Sequence, residues 1–217
     1  MKQYIKHLAI SLSVVLFFII SSVAIAERCI TPGEIIQLQK KVDKSYSPKE
    51  TKKFSEIIAK ARKYAENNYV ENAAIVLDVD ETLLDNRKYY ALYDYYNDRD
   101  WDKWIQSEDA IPHEETKDLV LWAKDLGYKI ILITGRLESQ REATENNLKR
   151  FDIPFDQLHM RPDNMDISQM SDYKLNIRKK LTEKGLNIIV NIGDQKSDIR
   201  GGFGKGFKLP NSIYSIP

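Results

Sequence analysis

Cysteine is almost absent from the 217 residues of this chain, which contain a single one, Cys29. One cysteine cannot form a disulfide within the chain, whatever the redox state of the compartment. A disulfide-stapled small fold is therefore excluded. The stability of the fold has to come from a packed core.

An excess of charge of one sign is also missing. The chain has 33 Lys and Arg against 32 Asp and Glu, which gives a formal net charge of +1. Without a basic excess we expect no binding to a nucleic-acid polymer and no electrostatic attraction to anionic lipid. Hydrophobic residues at 42% and charged residues at 30% are ordinary for a globular protein, which excludes a disordered chain and a fibrous repeat.

Long apolar runs are missing except near the N-terminus, which excludes a protein with several membrane-spanning helices. There, a basic segment precedes the apolar stretch 8–20, and Ala24-Ile25-Ala26 follows it. This pattern predicts a secretory signal peptide over residues 1–26, and hence export to the periplasm or the exterior. The alternative is an uncleaved membrane anchor, because residues 8–26 are almost long enough to span a bilayer. Only in that case do we expect the protein to be membrane-bound.

What the sequence does contain is an alternation of short apolar runs with helical patterns. The run 73–77 is apolar on both faces and ends in acids, which is typical of a buried parallel strand. The same pattern predicts further strands at 129–133, 155–160, 187–192 and 206–209. Helical spacing of apolar residues predicts intervening helices at 114–126, 138–150 and 172–184. We therefore expect an α/β fold, a Rossmann-like parallel sheet with helices on both faces.

Two further helices are predicted before the first strand. Thr31 and Ser47 are capping residues, and each precedes a proline, the residue favoured at the first helical position. We assign 27–72 to an N-terminal helical segment and 73–217 to one α/β domain. Within that domain the segment at about 83–127 is long for a simple crossover, and it predicts a small helical cap.

Residues that can carry chemistry stand where the predicted strands end. In open parallel sheets, ligands bind beyond the carboxyl ends of the strands, so side chains at these positions should converge. They are Asp78, Asp80, Thr134 and Asp194, with Asp198 four residues further on and Lys174 on the helix before that strand. Packed carboxylates repel one another and require a cation, and hard oxygen ligands favour Mg²⁺. With an ammonium and a hydroxyl to bind anionic oxygens, the set suits phosphoryl transfer.

Four motifs carry a resemblance to a known superfamily. DVDET, ITGR, Lys174 and GDQKSD are similar, in this order, to the four signatures of the haloacid dehalogenase-like phosphohydrolases. The run DVDETLLDNRKYY narrows the resemblance to subfamily IIIB acid phosphatases, the relatives of plant vegetative storage proteins and of bacterial outer-membrane acid phosphatase lipoproteins. The similarity extends over about residues 73–207.

The resemblance implies a role for each motif residue. Asp78 would be the nucleophile that forms an aspartyl-phosphate, and Asp80 would act as acid and then as base. Thr134 and Lys174 would hold the phosphoryl oxygens. Mg²⁺ would be bound by Asp78, the backbone carbonyl of Asp80 and Asp194, with Asp198 supporting the metal or orienting Lys174. An acidic pH optimum is then expected, because Asp80 has to carry a proton when the leaving group departs.

Aromatic residues are concentrated in the predicted cap. Trp101 best matches an aromatic position that stacks on a nucleobase in relatives, so Trp101 and Gly135 are candidate substrate-binding residues. Packing of these aromatics in a helical subdomain is the alternative. The expected partner is a small phosphate monoester, with nucleoside monophosphates as a candidate class, and the sequence predicts no oligomeric state.

Other functions remain to be weighed. A calcium loop beginning at Asp78 is disfavoured, because Leu83 and Tyr89 stand where an EF-hand needs Gly and Glu. A non-enzymatic storage or phospholigand-binding protein of the same fold is the main alternative, although Asp78 and Asp80 are both present. A phosphotransferase would use the same residues, so the sequence leaves that alternative open.

Overall fold

The computed structural model describes residues 31–93 and 96–216. Its strands are β1 (Ala73–Leu77), β2 (Leu84–Asp85), β3 (Ile111–Pro112), β4 (Lys129–Leu137), β5 (Gln157–Arg161), β6 (Asn187–Gly193) and β7 (Lys205–Lys208). Its helices are α1 (Pro32–Ser45), α2 (Pro48–Asn67), α3 (Arg87–Leu92), α4 (Asp98–Gln106), α5 (Glu114–Asp125), α6 (Arg141–Arg150), α7 (Met170–Glu183) and α8 (Lys196–Ile199).

Five of the strands form one parallel sheet in the order β5-β4-β1-β6-β7. Strand β1 lies at the centre, between β4 and β6, and Leu77 is in register with Leu132 on one side and Ile192 on the other. The carboxyl ends of these three strands therefore lie side by side. The short strands β2 and β3 pair antiparallel in a separate two-stranded sheet.

Side chains of β1 alternate between two apolar layers, as the period of two along a strand requires. Ile75 and Leu77 belong to the larger core, which also includes buried residues of α2, α5 and α6. Ala74 and Val76 belong to a second cluster, against which residues of α7 pack. Helices thus cover both faces of the sheet, and the predicted α/β fold is confirmed.

Helices α1 and α2 begin at the positions that the capping residues Thr31 and Ser47 predict. Thr31 and Glu34 form a reciprocal capping box on α1, and the Ser47 side chain accepts a hydrogen bond at the start of α2. The buried face of α2 includes Phe54 and Ile58, while Tyr64, which the spacing also placed on that face, is partly exposed.

Several element limits differ from those predicted. Strand β4 continues through the ITGR segment to Leu137, because Leu137 still pairs with Arg161 of β5 after a register shift. A 3₁₀ turn at Glu138–Gln140 precedes α6, and α7 begins at Met170, two residues earlier than expected. The ITGR residues therefore lie within the end of a strand and not in a loop after it.

Some predictions lie beyond what this structure tests. The signal peptide over 1–26 and Cys29 lie outside the described residues. Among the residues that are described, no helix combines the length and apolarity needed to cross a membrane. The limits of the N-terminal segment and of the cap stay predictions; elements β2 to α5 occupy most of the proposed cap segment.

Candidate active site

The adjacent ends of β1 and β6 bring acidic side chains together. Asp78 follows the last residue of β1, and its backbone N–H donates to the Ile192 carbonyl of β6 at 3.0 Å. Asp194 follows β6, and Asp198 lies in the short helix α8. One carboxylate oxygen from each of these three acids lies within 4.8 Å of the others, and all three side chains are buried.

Lys174 joins this cluster from α7. Its Nζ donates to Asp78 Oδ1 at 2.7 Å and to Asp198 Oδ1 at 2.6 Å, and the side chain is buried. Burial alone would lower the pKa of Lys174, but the carboxylates of Asp198 and Asp78 raise it above its ordinary value. The ammonium therefore stays charged at neutral and acidic pH.

One ammonium does not balance three buried acids. Burial and the neighbouring charges of Asp198 and Asp194 hold the pKa of Asp78 well above its ordinary value, against the opposing effect of Lys174. Burial, followed by the charge of Asp198, raises the pKa of Asp194 to about 6. Both shifts express the cost of ionising acids that are close together in a medium of low dielectric constant. A bound cation would remove that cost.

The oxygen atoms left without a partner fit a divalent cation. Asp194 Oδ1 is buried and has no hydrogen-bond partner, whereas Asp194 Oδ2 accepts from Gln195 Nε2 at 2.5 Å and from Asn211 Nδ2 at 2.6 Å. Both oxygens of Asp198 are already bonded, to Lys174 and to the Gln195 backbone N–H. Carboxylate oxygens are the donors that Mg²⁺ prefers. The arrangement thus suits Asp194 as a ligand and Asp198 as the residue that orients Lys174.

Gly193 is needed at the end of β6 because Asp198 packs directly on its backbone. A Cβ atom at position 193 would overlap the Asp198 carboxylate and its Cβ. The glycine therefore lets α8 fold back on the strand end. That return brings Asp198 to Lys174.

Asp80 lies two residues after Asp78 but is held by different partners. The Arg136 guanidinium donates to both its oxygens, from Nε at 3.0 and 3.2 Å and from Nη2 at 2.7 Å. Asn86 Nδ2 donates to Asp80 Oδ1 at 3.0 Å, and Asn86 in turn accepts from the Trp104 indole N–H at 2.8 Å. Arg136 and Asn86 are fully or almost fully buried. Asp80 is thus fixed by a buried network that reaches into α4.

The remaining predicted residues make their contacts with other groups than the acids of this cluster. Thr134 is buried in β4, next to β1, and its hydroxyl accepts the Arg136 backbone N–H at 3.1 Å. The Gly135 carbonyl accepts from Arg161 at 3.1 Å. The half-buried Trp101 ring meets Tyr89 edge-on, with 5.0 Å between ring centroids. Among the described residues, hydrogen bonds connect Lys174 to Asp78 and Asp198 of the carboxylate cluster. Trp101 has no such connection to the cluster within the part of the chain that the structure describes.

Sequence reasoning gave no role to several residues that complete the site. Arg136 was visible as the last letter of ITGR, and a cation at a strand end is a signal that could have been used. Asn86 and Asn211 offered no such signal, because nothing in the local pattern tells which distant carboxylate an amide will meet.

Comparisons with known proteins agree with the geometry. The family described as HAD superfamily, subfamily IIIB (acid phosphatase), matches residues 24–217. Acid phosphatase 1 of Solanum lycopersicum is 34% identical over 148 residues, which cover 65% of this chain and 58% of the relative. Vegetative storage protein 1 of Arabidopsis thaliana is 33% identical over 165 residues, covering 71% and 60%. The chain spans about three fifths of the length of these curated relatives.

A solved structure shares the fold. The class C acid phosphatase from Bacillus anthracis superposes with a TM-score of 0.71, covering 83% of this chain and 86% of that one. The two sequences are 21% identical. The likeness is therefore one of fold.

Proposed function

This chain belongs to the acid phosphatases of HAD superfamily subfamily IIIB, and on that premise we propose that it is an Mg²⁺-dependent acid phosphatase that hydrolyses phosphate monoesters. One observation carries the proposal: the buried Lys174 ammonium lies between Asp78 and Asp198, beside Asp194 with its unpartnered oxygen. This is a nucleophile held among charges of the kind that phosphoryl transfer requires.

Asp78 is the proposed nucleophile. Lys174 binds Oδ1 of its carboxylate, which leaves Oδ2 to attack phosphorus. The new Asp78 O–P bond forms as the P–O bond of the ester breaks, and the leaving oxygen takes a proton from Asp80. Asp80, now a carboxylate, accepts a proton from water, whose oxygen attacks the aspartyl-phosphate and releases inorganic phosphate with Asp78 restored.

Arg136 and Asn86 keep Asp80 in place for both proton transfers. The Arg136 guanidinium and the Asn86 amide both donate to the Asp80 carboxylate, so the distance from that carboxylate to an ester oxygen varies little. Thr134 and Lys174 are proposed to hold phosphoryl oxygens, which keeps the phosphorus in line with Asp78.

Mg²⁺ is the proposed metal, held by Asp78, the Asp80 backbone carbonyl and Asp194. When bound, it would neutralise charge on the phosphoryl oxygens and on the acids that surround them. Asp198 supports the site by holding Lys174.

Nucleoside monophosphates are the proposed substrate class. Trp101 is half-buried and borders Tyr96, a residue that is 56% exposed, with 5.9 Å between the two ring centroids. These rings offer an aromatic surface for a base, although Tyr89 and Trp104 of the same cluster are buried in the core. Export is proposed from the signal-peptide pattern of residues 1–26.

A substrate panel tests the proposal. Purified wild type and Asp78→Asn are assayed for phosphate release from nucleotides, glycerol phosphate and an aryl phosphate, with and without Mg²⁺ and over a range of pH. We expect Mg²⁺-dependent release with an acidic optimum, and a loss of at least about a thousandfold in Asp78→Asn, because no other described group replaces the nucleophile. Asp43→Asn, the same change on the exposed surface of α1, is the matched control.

Each part of the proposal has its own contrary result. Undiminished activity of Asp78→Asn would remove the nucleophile assignment. No release from any ester by wild type would favour the storage role that some relatives' names carry. Transfer of phosphate to an added alcohol in preference to water would identify a phosphotransferase. Trp101→Ala should lose its preference for nucleotides over glycerol phosphate, and an unchanged preference would reject the stacking role.

A further inference from the structure

The chain that follows β7 stays at the carboxyl edge of the sheet. The backbone N–H of Leu209 donates to the Gly193 carbonyl at 2.8 Å, so the tail leaves β7 beside the end of β6. Leu209 and Ile213 are both buried in the main core. These two apolar anchors hold residues 209–216, here called the C-terminal strap, against the site.

Polar groups of the strap meet the two residues that follow β6, Asp194 and Gln195. Asn211 Nδ2 donates to Asp194 Oδ2 at 2.6 Å. The Ile216 backbone N–H donates at 2.9 Å to Gln195 Oε1, and the amide of that same Gln195 donates to Asp194 Oδ2. The strap thus acts on Asp194 twice, directly through Asn211 and indirectly through Gln195.

The two amide donors bind one oxygen of the Asp194 carboxylate and leave the other one without a partner. An amide NH₂ group can only donate, so Oδ2 is occupied by groups that do not compete for a cation. Oδ1 is buried without a partner. A carboxylate held in this way cannot rotate to exchange its oxygens without losing two hydrogen bonds.

We infer that Asn211 is a positioning residue for the metal site, which it serves by fixing the rotation of Asp194 so that Oδ1 is free to bind the cation. The inference rests on the proposed Mg²⁺ site. Removing a group that orients a metal ligand in this way commonly lowers metal affinity about 10- to 100-fold.

A purely structural role for Asn211 has to be separated from this one. Asn211 Oδ1 also accepts from the Ile213 backbone N–H at 2.7 Å, which shapes the strap. Asn211→Ser keeps a side-chain oxygen that can make the same local turn, but its hydroxyl is too short to reach Asp194. Ser215→Ala, at an exposed position of the strap, is the control.

The test measures Mg²⁺ binding by isothermal titration calorimetry, well below the melting temperature, together with thermal unfolding of the metal-free proteins. We expect Asn211→Ser to weaken Mg²⁺ binding about 10- to 100-fold, and Ser215→Ala to bind as wild type does. Weaker binding with an unchanged metal-free melting temperature supports the inference, whereas weaker binding together with a lower metal-free melting temperature would show that Asn211 acts by shaping the strap and would overturn it.

Two results of the binding measurement also overturn it, in distinguishable ways. If wild type binds Mg²⁺ and Asn211→Ser binds it equally well, Asn211 merely shapes the strap and the proposed metal site stands. If wild type itself does not bind Mg²⁺, the proposed metal site fails and this inference fails with it.

Discussion

At the scale of single residues, Arg136 decides how Asp80 is held. Its guanidinium makes a two-pronged contact with the carboxylate, and both side chains lie in a largely buried environment. Lysine carries the same charge but offers one point of contact where arginine offers a planar fork. The position of Asp80 therefore depends on the shape of the cation as well as on its charge.

We expect Arg136→Lys to lower kcat about 10- to 100-fold, because a small displacement of a catalytic group has a cost of this size, while KM changes little. Steady-state kinetics of the purified variant check this, with Arg150→Lys, an exposed arginine of α6, as the control. A wild-type kcat in Arg136→Lys would show that charge alone suffices and would contradict the role of the fork.

Part of the site could be predicted from the sequence, because it depends only on where the strands end. Asp78 and Asp194 each follow an apolar run, and in a parallel sheet the ends of adjacent strands meet, so their proximity could be predicted. The contact between Asn86 and Asp80 could not, because it depends on the direction of a side chain from the segment after β2. Asn211 depends on where an irregular strap settles, which no periodic pattern describes.

At the scale of elements, α2 and α5 pack together at the start of α5. His113 is the N-cap residue of α5, and its ring stacks on Phe54 of α2 with 4.5 Å between centroids. Burial lowers the pKa of His113 below its ordinary value, although Asp85 and Glu115 oppose the shift. The positive end of the α5 dipole also disfavours a charged imidazole there.

This contact predicts a loss of stability in acid. A histidine with a lowered pKa in the folded state contributes stability that is present above its unfolded pKa of about 6.5 and is lost as the pH falls through the lower folded value. We expect His113→Gln, which does not titrate, to gain stability relative to wild type as the pH falls from 7.5 to 5. Urea unfolding at a series of pH values measures the difference.

Lys60→Gln, an exposed substitution on α2 whose lysine titrates far above this range, should show no such trend. A constant difference between His113→Gln and wild type across the series would mean that His113 does not carry the pH dependence.

Element types were easier to predict than element limits. The apolar runs identified the three central strands most clearly, because buried parallel strands are apolar on both faces. The edge strands β5 and β7 are only partly buried, and their runs contain fewer apolar residues. The limits of β4 depended on pairing: Leu137 pairs with Arg161 across a register shift that polar residues of the ITGR segment do not reveal. The two-residue strands β2 and β3 are too short to show any period.

At the scale of the whole molecule, the carboxylate cluster opposes the stability that the rest of the fold provides. The core closes around β1 from both faces, and the same topology forces Asp78, Asp194 and Asp198 into one buried place. The raised pKa values of Asp78 and Asp194 show that ionising these acids so close together, away from water, costs free energy. A cation that binds only the folded protein should therefore stabilise all of it.

We expect Mg²⁺ at about 100 times its dissociation constant to add about 2.7 kcal/mol of stability, a rise of roughly 5–10 °C in melting temperature for a chain of this size. Asp194→Asn should remove most of that rise.

The same variant should melt higher than wild type without metal at pH 7.5, because an amide oxygen can still accept from Gln195 and Asn211 while the buried negative charge is gone. Thermal unfolding of both proteins, with Mg²⁺ and with a chelator, measures the four midpoints. A full Mg²⁺-induced rise in Asp194→Asn would contradict Asp194 as a ligand, and a lower metal-free midpoint would contradict the claim that its charge strains the fold.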